Sequence, residues 1–390
     1  MNKHRVLTVF VAAVLALGAG LPALAQDTVK VGLILPMTGP FASTGRQIDT
    51  AIKVYMAKHG STVAGKKIEV IVKDDAGTAD TTRRLAQELV VNDKVAFLAG
   101  FGLTPTAFAT APIATQAKVP MIVMAAATSA VTEQSPFIVR SGFTLPQITL
   151  PIAEWAAKNN LKKVVTLVSD YGPGIDAENQ FKKTFSAAGG TVSAELRVPL
   201  RNPDFAPFLQ RVRDAAPDAV FVFVPSGVGA IFMKQFAERG LDKSGIKLIG
   251  TGDVTDDDIL NDMGDVALGV INSMHYSAAH DSPMNKEYVA AMRKAANLRA
   301  NFHSVGGYDG MHLIYKALEA TKGNTSGEAL VEAMKGMAWE SPRGPMSIDR
   351  DTRDVIQNVY VRRVERGADG QLWNVEFQTV TAVKDPGKQK

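Results

Sequence analysis

Short apolar runs recur along this chain, each followed by a longer stretch in which apolar residues return every third or fourth position. Val29 to Leu35, closed by Pro36, reads as a buried strand, and Ile48 to Lys58 as the helix after it. Lys67 to Lys73 alternates as a strand, Thr81 to Val91 is helical, and Val95 to Ala99 is again a buried strand. Helix Thr106 to Gln116 and strand Pro120 to Met124 continue the rhythm. It restarts after Leu145 with helix Gln147 to Asn159, strand Lys163 to Val168, helix Ile175 to Ala188 and strand Val192 to Val198. Helix Phe205 to Asp214, strand Ala219 to Val224, helix Val228 to Glu238 and strand Lys247 to Ile249 complete the second run. Strands alternating with helices of this length predict parallel sheets covered on both faces. Two such runs, divided near residue 145, predict an α/β protein of two doubly wound parallel-sheet lobes.

The remaining third has a different pattern. Met284 to Ala296, Ser304 to Thr321 and Ser326 to Met337 read as helices, and Val355 to Arg363 and Leu372 to Thr379 as strands. Helices without strands of their own must pack on an existing sheet, most economically that of the first lobe, while the late strands return to the second. The chain then crosses between lobes near residues 144, 275 and 349. The first lobe is expected over 26–144 plus 276–348, the second over 145–275 plus 349–383, with 384–390 as a flexible tail.

The N-terminus changes the picture of where the protein works. Lys3, His4 and Arg5 precede an apolar run from Val6 to Ala19, and Leu21-Pro22-Ala23-Leu24-Ala25 ends in an Ala-x-Ala site. This is the pattern of a secretory signal peptide, over residues 1–25 and cut after Ala25, and no later apolar run is long enough to span a bilayer. Export to the periplasm is expected, without membrane insertion. With Lys3 and Arg5 removed, the formal charge falls from +4 to about +2, and no basic run suggests nucleic acid. The chain has no cysteine, which excludes disulfides, thiolate nucleophiles and thiolate metal sites.

Candidate chemistry lies in loops that follow strands. Gly100-Phe101-Gly102-Leu103-Thr104-Pro105-Thr106 opens a helix, with Thr104 at the expected N-cap and Pro105 at the first helical position. Ala125-Ala126-Ala127-Thr128-Ser129 follows the next strand. Ligands of open parallel sheets sit beyond the carboxyl ends of strands, so Thr104 and Thr128 can converge on one carboxylate or phosphate. The alternative is that each hydroxyl only caps its own helix. In the second lobe, Tyr171 in Ser169-Asp170-Tyr171-Gly172-Pro173-Gly174 could cover a ligand, or simply pack at the lobe surface. Asp253 in Gly250-Thr251-Gly252-Asp253 could meet a ligand amine. Asp256-Asp257-Asp258 reads as the acidic first turn of a helix rather than a calcium site. No nucleophile elbow, His-Glu-x-x-His or phosphate loop occurs, so neither an enzyme nor a bound cofactor or metal is expected.

These residues, in this order, resemble the solute-binding proteins of branched-chain amino acid ABC transporters, the type I periplasmic binding proteins. The carriers are VKVGLILPMTGPFASTGRQ, KDDAGTAD, VNDKVAFLAG, AAATSAVTEQSPFIVR, SDYGPG, NPDFAPFLQRVRDAAPDAVFV, and AERGL with GTGD. The resemblance implies two lobes joined by a three-strand hinge. It also implies a ligand carboxylate held by Thr104, the backbone N–H of Ala126 (or a neighbour) and Thr128, with Tyr171 closing over it. Thr44 stands where relatives carry an aromatic ring near the pocket mouth. Pro225, beside Ser226 and Gly227, replaces a pocket tyrosine, and Gly77 and Leu103 replace a cysteine pair. The acid that takes a ligand ammonium in amino-acid binders falls on Gly252, with Asp253 one residue later.

The expected function is therefore capture of a small carboxylate-bearing solute between two lobes, as a monomer, and its delivery to an inner-membrane ABC permease. A branched-chain or other hydrophobic amino acid is the first expectation for the solute. An aromatic or aliphatic carboxylate without an amino group is the second, with Arg46 and His275 as extra polar contacts, and a ligand-sensing receptor is the alternative role.

Overall fold

The structure, a computed structural model, describes residues 27–388. The signal peptide expected over residues 1–25, with its cleavage site, lies outside the described residues. Two α/β lobes are present. The first is built on a six-stranded sheet in the order Thr62–Val63, Lys66–Asp74, Thr28–Leu35, Phe97–Gly100, Met121–Val123, Ile138–Arg140. All its pairings are parallel except that of Thr62–Val63. The second sheet has nine strands. Its parallel part runs Thr191–Val198, Lys163–Ser169, Ala219–Phe223, Lys247–Thr251, Ile271–Met274. Central strands such as Ala219–Phe223 are buried on both faces, which is why they read as unbroken apolar runs.

Beyond Ile271–Met274 the second sheet turns antiparallel through Val355–Arg366, to which Gly344–Ile348 and Leu372–Val383 both pair. Ala338–Ser341 follows on the outside of Gly344–Ile348. Residues 338–348, expected in the first lobe, thus hydrogen-bond into the second sheet. They escape sequence reading because they are short and carry Gly, Pro and Arg in place of apolar alternation. Ile271–Met274 escapes for a related reason: Asn272 and Ser273 are polar yet fully buried, satisfied by Arg362, Asn374 and the carbonyl of Ile148.

The late helices Pro283–Ala296 and Phe302–Ala320 pack on the first lobe. Tyr55 of helix Ala42–His59 meets the rings of Tyr308 and Tyr315 edge-on, with centroids 4.9 and 5.1 Å away. Asn301 and Ser304 form a capping box that starts the second of these helices.

The crossings between lobes are tied together by buried charge. Arg343 donates to Asp309 Oδ2 at 2.9 Å through Nε, to the Gly142 carbonyl at 3.0 Å and to Gln357 Oε1 at 2.8 Å. Gln147 in turn accepts from Gln357 at 2.8 Å and donates to the carbonyls of Val355 and Val383. Residues near all but one of the crossings thus share a single network. Residues 384–388, expected as a flexible tail, carry the turn Pro386–Lys388, and Lys388 Nζ lies 2.5 Å from Asp354 Oδ2.

Candidate functional site

Each lobe has a place where the strand order reverses. In the first, Thr28–Leu35 is flanked by Lys66–Asp74 and Phe97–Gly100; in the second, Lys163–Ser169 is flanked by Thr191–Val198 and Ala219–Phe223. Loops beyond the carboxyl ends of such strands diverge and leave a crevice. The two crevices face each other. Thr44, Thr104, Ala126, Tyr171, Ser226 and Asp253 line one narrow cleft between them, and Thr128 joins them through Thr104.

On the first-lobe side, Thr104 does not cap its helix. The N-cap of Thr104–Ala117 is Leu103, in extended conformation, and Thr104 is the first helical residue. Its Oγ1 lies 2.9 Å from Thr128 Oγ1, and the Thr128 N–H points to it at 3.4 Å. Thr128 precedes the short turn Ser129–Gln134 and does not cap it with its side chain either. Two buried hydroxyls thus meet at the start of a helix in which Pro105 carries no N–H and the Thr106 N–H already bonds the Leu103 carbonyl at 3.1 Å. Ala126 lines the cleft, but its N–H donates to the Phe101 carbonyl at 2.9 Å. The expected role of that N–H is therefore corrected: it already has an acceptor.

Arg140 holds this corner from behind. Fully buried, it donates to the carbonyls of Ala126, Phe143 and Thr128, the last at 2.7 Å, and its Nε meets Asp354 Oδ1 at 2.7 Å. Binding the carbonyls of the Ala126–Thr128 loop fixes the direction in which its amides face.

On the second-lobe side, Tyr171 precedes helix Gly172–Ala187 and stacks on Phe223, centroids 6.0 Å apart. Burial, and then the charge of Asp253, pushes its phenol well above the usual range. Ser226 opens helix Ser226–Glu238, beneath Pro225. Asp253 is 4 % exposed and accepts from Thr251 Oγ1 at 2.8 Å. Burial lifts its pKa to about 7, against that hydrogen bond and the nearby charge of Arg362. Arg362 also explains Gly252: a Cβ there would lie 2.1 Å from its Nη2. The arginine fills the space into which a side chain at 252 would have to grow.

The remaining expectations resolve differently. Arg46 is exposed and does not line the cleft. His275 lies behind Phe143, ring centroids 4.8 Å apart, with Nε2 3.2 Å from the Phe302 carbonyl. The acidic triplet lies just ahead of the four-residue helix Leu260–Met263 rather than in its first turn. Asp256 accepts from Asn301, Asp257 from Asn374, and Asp258 from Gln47 and Ser43. No cluster of metal-ligating side chains occurs among the described residues. Gly77 and Leu103 are neighbours, since a Cβ on Gly77 would lie 3.3 Å from Leu103 Cδ1. Sequence reasoning missed Phe41, Phe143, Phe223 and His303, which supply ring surface to the cleft; only Phe143 and Phe223 stand close to strand ends, at Ile138–Arg140 and Ala219–Phe223.

The lobes are closed on one another. Gln47 reaches Asp258 at 3.0 Å, Arg201 the Gly77 carbonyl at 3.0 Å, and the Ser129 N–H donates to Asp176 at 2.8 Å. Gly172 and Gly227 permit this approach: Cβ atoms there would lie 2.4 Å from Thr128 Oγ1 and 2.3 Å from the Pro40 carbonyl.

Comparison with known proteins places this geometry. The family model described as periplasmic binding protein matches residues 28–371. The Leu/Ile/Val-binding protein homolog 6 of Brucella melitensis biotype 1 is 48 % identical over 366 residues, covering 93 % of this chain and 94 % of that one. A solute-binding protein of an ABC transporter from Rhodopseudomonas palustris BisB5, in complex with 3,4-dihydroxybenzoic acid, is 65 % identical with a TM-score of 0.92, covering 93 % of this chain and all (100 %) of that one. Another from R. palustris HaA2, in complex with p-hydroxybenzoic acid, is 45 % identical with a TM-score of 0.91, covering 93 % and 99 %.

Proposed function

This chain belongs to the periplasmic binding protein family and is a solute-binding protein of an ABC transporter, and we propose that its solute is an aromatic carboxylate. The observation that carries this reading is a cleft with a hydroxyl corner at Thr104 and Thr128 and walls of aromatic rings from Phe41, Phe143, Tyr171 and Phe223. The carboxylate goes to the first lobe, at the hydroxyls, away from Asp253, which would repel it. The flat ring lies between the aromatic walls. A branched-chain amino acid, the first expectation, fits less well. Its ammonium would meet Asp253 with the Arg362 cation close by, and Arg362 leaves no room for an acid at Gly252. The hydroxybenzoate complexes of the two R. palustris proteins support the same choice.

The ligand touches both lobes, so it favours the closed arrangement over an open one. The protein acts by capture and release, without catalysis. It works as a monomer in the periplasm, after removal of the leader at Ala25, and hands its solute to an inner-membrane permease. Its leader pattern and its family support that location. Mass spectrometry of ligand released from freshly purified protein, with calorimetry against leucine, benzoate, 4-hydroxybenzoate and 3,4-dihydroxybenzoate, tests the reading. Tight leucine binding with no heat from the aromatic acids would sink it.

A further inference from the structure

The cleft holds polar groups, from the second lobe and from helix Phe302–Ala320 on the first, that a bare aromatic acid leaves without partners. Ser226 Oγ is buried and unbonded; it lies near the Asp256 carboxylate without the geometry of a hydrogen bond. His303, from the start of helix Phe302–Ala320, is 7 % exposed and its Nδ1 has no partner. Burial lowers its pKa to about 3, so the ring is neutral, with one nitrogen to donate and one to accept. Asp253 has a single side-chain hydrogen bond, from Thr251 to Oδ2. Buried polar groups are almost always satisfied in native structures, so three incompletely satisfied groups lining one cleft point to a ligand that satisfies them.

The ligand's own chemistry narrows the partner. Its carboxylate is drawn to the hydroxyl corner of the first lobe, so what faces Asp253 is the remote part of the ring. A donor there must be compatible with Arg362, whose charge already acts on Asp253. A neutral hydroxyl meets that condition and an ammonium does not.

We propose that Asp253, with Ser226 and His303 lining the same cleft, reads a ring hydroxyl remote from the carboxyl group, so that the protein selects hydroxybenzoates over unsubstituted benzoate. Asp253 accepts the phenolic hydrogen, and Ser226 and His303 complete the hydrogen bonding of that hydroxyl or of one next to it. This deepens the reading of the solute as an aromatic carboxylate and rests on it.

The test is calorimetry of the native full-length mature protein and of Asp253→Asn, Ser226→Ala and Thr104→Ala against benzoate, 4-hydroxybenzoate and 3,4-dihydroxybenzoate. Native protein is expected to bind the hydroxylated acids roughly 10- to 100-fold more tightly than benzoate, the range of a hydrogen bond to a charged group. Asp253→Asn should erase most of that preference, bringing the ratio of hydroxylated-acid to benzoate affinity close to one, and Ser226→Ala should reduce it. Thr104→Ala should weaken all three acids alike. Equal native affinity for the three acids overturns the proposal alone, with no variant needed. Equal losses of benzoate and hydroxybenzoate in Asp253→Asn do the same. Absence of binding by any aromatic acid overturns it together with the reading beneath it.

Discussion

The hydroxyl of Thr104 lies 2.9 Å from that of Thr128, joining two loops 24 residues apart at the ends of neighbouring strands. Neither hydroxyl caps its own helix, and with one O–H spent between them the other is left to donate to an anion. Replacing either threonine by alanine should weaken binding of an aromatic carboxylate by about 1.5–3 kcal/mol, the range for a hydrogen bond to a charged group. Because the two bond each other, the double variant should lose less than the sum of the single losses. Calorimetry of the four proteins in a double-mutant cycle measures this. Unchanged affinity in both single variants removes the carboxylate from this corner.

Closure depends on two glycines whose missing side chains leave room for the opposite lobe. Gly172→Ala and Gly227→Ala place a Cβ 2.4 Å from Thr128 Oγ1 and 2.3 Å from the Pro40 carbonyl. Both residues are helical, so alanine suits their backbone and the ligand-free melting temperature should hold or rise slightly. Ligand affinity should fall at least tenfold, and small-angle scattering should show a radius of gyration that no longer shrinks on ligand addition. Normal closure in both variants would mean that the lobes tolerate the added methyl groups.

Arg140 sits under the anion corner with 0 % exposure. Arg140→Met removes its three carbonyl contacts and leaves Asp354 with Lys388 as its cation. Breaking a buried pair in this way should destabilise the fold by about 3–5 kcal/mol, with a smaller loss if Lys388 compensates. The midpoint of denaturant unfolding measures it, and carboxylate affinity should fall in parallel as the loop loses its support.

Binding should depend on pH differently for different aromatic acids. Asp253 faces Thr251, Tyr171 and Arg362, with Asp256 and Asp257 on its own loop, and burial lifts its pKa to about 7. An open cleft restores water to it and a value near the usual carboxylate range. Closing around benzoate therefore takes up a proton, and benzoate affinity should fall as pH rises from about 5 to about 7. A ring hydroxyl that donates to Asp253 favours its charged form and pulls the pKa back down, so the slope for 4-hydroxybenzoate should be flatter. Calorimetry across that range, in buffers of different ionisation enthalpy, reads the proton uptake directly. Identical slopes for the two acids would show that Asp253 does not meet the hydroxyl.

Much of this arrangement was legible from local pattern. Parallel strands put ligand loops at their carboxyl ends, so Thr104, Thr128, Tyr171 and Asp253 stood out as polar or aromatic residues in such loops, and Ser226 came only through the family resemblance. The rings of Phe143 and Phe223 did not, since they look like any other core aromatic until the opposite lobe is in place. The buried arginines were equally silent. Arg140 pairs with Asp354 across 214 positions and Arg343 with Asp309 across 34, and no periodicity connects residues so far apart.

The amino-acid sequence by itself determined the two doubly wound lobes, because strand and helix periods are local properties of neighbouring residues. It also placed hydroxyl-bearing loops at the ends of strands. Tertiary structure alone decided that the Ala126 N–H already has an acceptor, that Arg362 fills the space beside Gly252, and that burial raises the pKa of Asp253. Each of these depends on which distant groups exclude water from one another. Hydrogen-bond satisfaction and desolvation are set by the packed neighbourhood, and only folding assembles it.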